Sequence, residues 1–152
     1  MRVSAMVDYA VRAAVELAVV AGEGPVKGDR IAQAQKIPLK FLENILSELR
    51  TAGIVASRRG AEGGYWLDRP AAEVSVADVL RAVEGPLASI RGTGPERLTY
   101  EGAAEVLPQM WVALRASLRI VLEGVTLADL AAGKLPPDVT ALADAPDAWV
   151  KR

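Results

Sequence analysis

The stretch Lys36-Ile-Pro-Leu-Lys-Phe-Leu-Glu-Asn-Ile-Leu-Ser-Glu-Leu-Arg-Thr-Ala-Gly-Ile-Val-Ala-Ser-Arg-Arg-Gly-Ala-Glu-Gly-Gly-Tyr-Trp-Leu67 decides the fold. Leu39, Leu42, Ile45, Leu46 and Leu49 recur at helical spacing and predict a buried stripe on a helix that runs to about Ala52. Pro38 has its φ preset for the first helical position, and Gly53 stands where a helix is commonly stopped. Ile54–Arg58 and Tyr65–Asp68 then alternate as a pair of strands. Gly60, Gly63 and Gly64 between them permit a tight hairpin. Helix, glycine stop, strand, basic glycine turn and strand is the order of a winged helix-turn-helix. There one helix enters the major groove while the hairpin reaches phosphates or the minor groove beside it.

The outer face of that helix carries Lys40, Glu43, Asn44, Ser47 and Arg50. Asn can bind adenine through two hydrogen bonds, Glu can accept from the cytosine amino group, and Lys can take guanine or phosphate. Arg58 and Arg59 precede the glycine turn, where a guanidinium can enter a narrow minor groove or span two phosphates. Taken singly, these features are ordinary: any amphipathic helix has a polar face, and most charged hairpin tips are merely solvated. In one register they favour DNA binding.

Outward from this unit, Ser4 is placed to cap a first helix reaching about Val20, with Met6, Tyr9, Ala10, Ala13, Ala14, Leu17 and Ala18 along one face. Gly22, Gly24 and Pro25 end it, and a short helix over residues 28–35 turns Ile31 and Ala32 inward. Beyond the wing, Ser75 and Asp78 have capping-box spacing ahead of Val79, Leu80 and Val83, and Gly85-Pro86 closes that helix. The longest helical pattern follows at about 108–123, with Pro108 either starting or kinking it. Its stripe (Leu107, Met110, Trp111, Leu114, Leu118, Val121, Leu122) is too wide for the small head to cover, which predicts a dimerisation helix. Thr126 caps a last short helix, and the Pro-, Asp- and Ala-rich stretch from Lys134 predicts a loosely ordered tail. The expected organisation is a mainly α winged helix-turn-helix domain with a small β wing at 1–86, a loop at 87–107, dimerisation and short helices at 108–132, and a flexible tail at 133–152.

The 152-residue length suits one domain with an appendage, and the net charge of −1 argues against indiscriminate adhesion to nucleic acid. Charge is uneven, with a net of +2 over residues 1–69 and −3 over residues 70–152. There is no Cys and no His. That excludes disulfides, thiolate-held metal centres, and a Cys or His nucleophile or His base. No phosphate-binding loop with Lys-Ser/Thr precedes a helix, so an enzyme is not expected. The apolar run at 10–21 is interrupted by Arg12 and Glu16, so a cytoplasmic N-terminus without a leader is the expectation, and no membrane helix is predicted.

With these residues read, the chain resembles the Rrf-type (Rrf-two) winged-helix transcription regulators, the group of IscR, NsrR and CymR. The resemblance rests on Tyr9-Ala10, on Pro38-Leu39-Lys40-Phe41-Leu42-Glu43-Asn44-Ile45-Leu46, on Leu49-Arg50-Thr51-Ala52-Gly53-Ile54-Val55, and on the wing Arg59-Gly60-Ala61-Glu62-Gly63-Gly64-Tyr65. It continues through Val76–Pro86, Trp111 and Val125–Leu130, covering roughly residues 1–132. It implies a dimer that binds an inverted repeat, usually as a repressor, with Lys40, Glu43 and Asn44 at base edges and Arg59 in the minor groove.

Many members hold an iron–sulfur cluster through three Cys in the loop after the fourth helix. This chain has Arg91-Gly92 where the first would fall and no Cys elsewhere, so it reads as a cluster-free member with no cofactor. Asp8, at a position where some relatives supply a carboxylate, reads as a helix-face charge. A weak hard-cation site among Asp8, Glu96, Glu101 and Glu105 is the lesser alternative. The loop at 87–107 is then a vestigial sensor, open to a small molecule or a protein partner. Tyr9, Tyr100 and Trp111 are candidates to line an apolar ligand pocket, against the plainer reading of core aromatics. The alternative to a DNA-binding regulator is a winged-helix protein-interaction module without operator specificity.

Overall fold

The computed structural model describes residues 2–151. Helices α1 (Ala5–Val19), α2 (Gly28–Gln35) and α3 (Leu39–Thr51) lead into strands β1 (Val55–Arg58) and β2 (Gly64–Leu67). Helix α4 (Val76–Glu84), α5 (Leu107–Gly124), α6 (Leu127–Ala131) and α7 (Pro137–Ala143) complete the chain. The architecture is mainly α with a two-stranded antiparallel wing, paired Val55 with Leu67 through Arg58 with Gly64.

Helix α1 is the hub. Its Ser4 N-cap accepts from the Val7 N–H at 3.1 Å. Val7, Ala10, Ala13, Ala14 and Leu17 are buried against α2, α3, α4 and α6. The small alanines let neighbouring helices approach closely, and Leu42, Ile45, Leu46 and Leu49 of α3 fill the space beneath. Full burial of each such leucine stabilises by about 1.5–3 kcal/mol.

Ala52 caps α3, and Gly53 adopts φ 71 beyond it. The Gly53 N–H bonds the Arg50 carbonyl and the Ile54 N–H bonds the Leu49 carbonyl, the paired contacts of a Schellman stop. Buried Ile54 and Leu49 supply its apolar contact, and the chain turns at once into β1. The wing is fixed to the head by an isolated bridge in which Val26 and Tyr65 exchange two 2.8 Å backbone hydrogen bonds. A Cβ at Gly64 would lie 2.6 Å from the Val26 carbonyl oxygen, and one at Gly63 would lie 2.0 Å from that of Arg58. Both glycines are required by close backbone approach.

Two capping boxes stand side by side. Ser75 and Asp78 start α4, Thr126 and Asp129 start α6, and the two caps face each other across a bridge. Partial burial pushes the Asp78 carboxyl up. The Ser75 backbone N–H and hydroxyl, with the charges of Arg69 and Arg81, outweigh that and hold it below its ordinary value. The Thr126 backbone N–H and then its hydroxyl lower Asp129 in the same way.

Several expectations change in detail. Leu39 is 42% exposed rather than part of the buried stripe, because it sits in the first turn of α3 and overhangs the end of the core. Pro38 is the residue before the helix, with extended ψ 127, and not its first helical residue. Pro108 lies in the first turn of α5 and starts that helix without kinking it. The segment expected as a loosely ordered tail contains α7, with Pro137 and Asp138 in its first turn. Among the described residues, no helix is long and apolar enough to cross a membrane.

Candidate nucleic-acid interface

The four buried residues of α3 lie on one side, which leaves Lys40, Glu43, Asn44 and Ser47 exposed along the other. Arg50 is exposed in the last turn, and its guanidinium donates to the Ser57 hydroxyl of β1 at 3.2 Å. That bond ties the end of the helix to the base of the wing and draws Arg50 toward the strand. Arg58 and Arg59 are exposed at the end of β1. Arg58 Nη2 donates to the Glu62 carbonyl at 3.1 Å, closing the wing loop from within. All seven residues are exposed, five on α3 and two at the end of β1, and Arg50 and Arg58 each spend one hydrogen bond within this unit.

Sequence reading missed a second fastening. Lys27 Nζ donates to the Gly60 carbonyl at 2.7 Å, so the residue before α2 holds the wing turn 33 positions away. Together with the Val26–Tyr65 bridge it sets the angle between wing and α3. Nothing in the sequence pairs Lys27 with Gly60, since tertiary packing alone brings the two together. Phe41, 50% exposed, packs edge-on against Tyr9 with ring centroids 6.2 Å apart, and Arg12 stands 5.4 Å from the Tyr9 ring centre. This braces the first turn of α3 against α1.

Tyr9 is thus half-buried in a brace between helices. Tyr100 lies half-buried in the loop before α5, and Trp111 lies in α5 with a buried indole N–H that has no acceptor among the described residues. Four clefts open among the described residues, at the α1–wing junction, beside Arg81 and Arg115, beside Leu80 and Leu118, and between α2 and α3, and none of the three aromatic residues lines them. Asp8 pairs with Arg12 at 2.9 Å, one helical turn on, as a helix-face charge does. Glu96 accepts from Arg115, and its own backbone N–H and that guanidinium hold its carboxyl below the ordinary range.

The Rrf2 family model, described as an iron-dependent transcriptional regulator, matches residues 3–133. Rv1287 of Mycobacterium tuberculosis, named as a candidate HTH-type transcriptional regulator, is 55% identical over 95% of this chain and 89% of its own. The HTH-type transcriptional regulator CymR of Bacillus subtilis is 36% identical over 86% of this chain and 90% of its own. The solved structure of that CymR, the global cysteine regulator of B. subtilis, superposes with a TM-score of 0.73 at 34% identity, covering 88% of this chain and 98% of that one. The structure of T. potens IscR gives 0.69 at 33% identity, covering 100% and 93%. These relatives are regulators and not enzymes.

The iron in the family's description does not fit the residues present. The chain has no thiolate or imidazole to offer, and among the described residues no three Asp or Glu side chains converge. Family and surface agree on the rest: this chain is a DNA-binding transcriptional regulator of the Rrf2 family.

Proposed function

We propose that the chain acts as a homodimeric repressor of an inverted-repeat operator, controlled by a small molecule or protein partner in place of an iron–sulfur cluster. The observation that carries this reading is α5. It is an 18-residue helix in which not one residue is buried. Ile120 is 66% exposed, Met110, Val112 and Leu114 are also open, and so is Val106 just before the helix. About 27 Å of apolar helix is covered most simply by the same helix of a second copy. A two-fold pair of heads presents two α3 helices, and such pairs read half-sites about 34 Å apart, one turn of the duplex. Lys40, Glu43, Asn44 and Ser47 would supply base and backbone contacts, Arg59 the minor-groove contact, and Arg58 and Arg50 phosphate contacts at the wing.

The test is selection from random duplex DNA by the purified chain, at low and moderate salt. The expected product is an enriched palindrome. Enrichment of a single asymmetric half-site, or binding indifferent to sequence at both salts, would overturn the operator reading.

A further inference from the structure

A cleft of about 600 Å³ lies between the end of α1 and the wing, and no residue of the loop expected as a sensor lines it. Its apolar lining includes Leu17 of α1, Val20 just after that helix, and Val26. Trp66 of β2 lines one side, with Arg58 and Arg69 on its rim. The volume falls in the range of small-molecule sites, about 300–1,000 Å³, which characteristically combine apolar walls with a few polar groups.

The charge of the cleft selects its ligand. Among the described residues Arg58 and Arg69 donate to backbone carbonyls alone, those of Glu62 and Glu73. Among the described residues neither has a carboxylate within ion-pair distance, although Asp78 feels the charge of Arg69. Asp68 is the one acidic residue in the lining, so the cleft carries two guanidiniums against one carboxylate. Planar guanidinium forks match a carboxylate, and the indole with the flanking Pro25 and Pro70 rings gives flat apolar faces.

We propose that this cleft binds an aryl carboxylate, and that the bound acid withdraws Arg58 from DNA. The proposal rests on the regulator reading for its consequence but not for the binding itself. Arg58 belongs to both surfaces, on the rim of the cleft and at the end of the wing strand. A ligand carboxylate paired with it removes one phosphate contact, which lowers DNA affinity and reduces the salt slope by about 0.9.

The probe is 2-naphthoate, titrated calorimetrically into the full chain without DNA, with 2-naphthamide as the uncharged control. Saturable 1:1 binding of the acid is expected, at least tenfold weaker for the amide. Arg69→Gln should weaken binding of the acid tenfold, and Ala21→Phe, which fills the cleft and leaves both arginines, should abolish it. Absence of saturable binding, equal binding of acid and amide, or binding that ignores both substitutions would overturn the site. A DNA titration at several salt concentrations then tests the coupling. Naphthoate that binds but leaves affinity and salt slope unchanged would overturn the withdrawal of Arg58 alone. Failure to find an operator in the selection above would leave the calorimetric result standing.

Discussion

Arg59 and Asn44 sit on one surface but should fail differently when removed. Arg59 has no hydrogen bond or ion pair among the described residues, so its guanidinium is free to follow the DNA backbone or enter the minor groove. Arg59→Ala should weaken binding to all sequences and reduce the salt slope by about one, because one fewer counterion is released. Asn44→Ala should leave the salt slope alone and cost about 1–3 kcal/mol at a single base position, relaxing specificity there. Fluorescence anisotropy on matched and mismatched duplexes across a salt series separates the two. An Asn44→Ala variant with altered slope, or an Arg59→Ala variant with loss confined to one base pair, would reverse the assignments. Gly63 tests the scaffold rather than the contact. A Cβ there meets the Arg58 carbonyl oxygen at 2.0 Å, so Gly63→Ala must distort the wing turn. DNA affinity should fall sharply while far-ultraviolet circular dichroism stays helical, because the helical core does not depend on the wing tip.

At the scale of elements, the paired capping boxes give α4 a measurable pH dependence. Ser75→Ala removes the hydroxyl that accepts from the Asp78 N–H at 3.1 Å and donates to its carboxylate, and should cost about 1 kcal/mol near neutral pH. Because the folded Asp78 pKa lies below 3.8, its ionised form is favoured by folding. That contribution is fully present above 3.8 and is lost as pH falls through the folded value. The stability gap between wild type and Ser75→Ala, measured by urea unfolding, should therefore narrow below pH 3.8 and stay constant above it. A gap that widened on acidification would contradict the assignment. The same boxes show why much of this fold was legible. Ser-x-x-Asp ahead of an apolar run, and a glycine after Leu-Arg-Thr-Ala, are local signals whose geometry is settled within one turn. α7 was missed because Pro136-Pro137 and the acidic, alanine-rich residues after it read as disorder, although Pro137 and Asp138 are also good first-turn residues. Leu39 was misplaced because periodicity assigns a face but not whether the core extends beneath the helix end. The Lys27–Gly60 fastening had no local signal at all, since it joins residues brought together only by tertiary packing.

Considered whole, the molecule divides into a head with a closed core and a long helix without one. The head buries its leucines around α1, and β1, β2 and the Val26 bridge fix the wing to it. Helix α5 instead rests lightly on α4 and on the turn at residues 95–97, with Arg81 reaching Glu123 and Arg115 reaching Glu96 as polar fastenings. Surface ion pairs of this kind contribute about 0–1 kcal/mol each, too little to hold an apolar helix of that length in water. Hydrophobic burial against a second α5 would contribute far more, at about 25 cal/mol per Å² of apolar surface covered. Ile120, 66% exposed, is a direct test. Ile120→Glu places a charge in the proposed seam twice over, once from each copy, without touching the core of the head. Sedimentation velocity should show a dimer for the wild type and a monomer for the variant at the same concentration, with the head still folded. DNA affinity should fall by far more than one contact would explain, because two heads linked through α5 bind the second half-site at a high effective concentration and separate heads do not. A variant that remains dimeric would move the seam away from the Ile120 face of α5. A wild type that is monomeric at every accessible concentration would remove the basis for a two-fold operator.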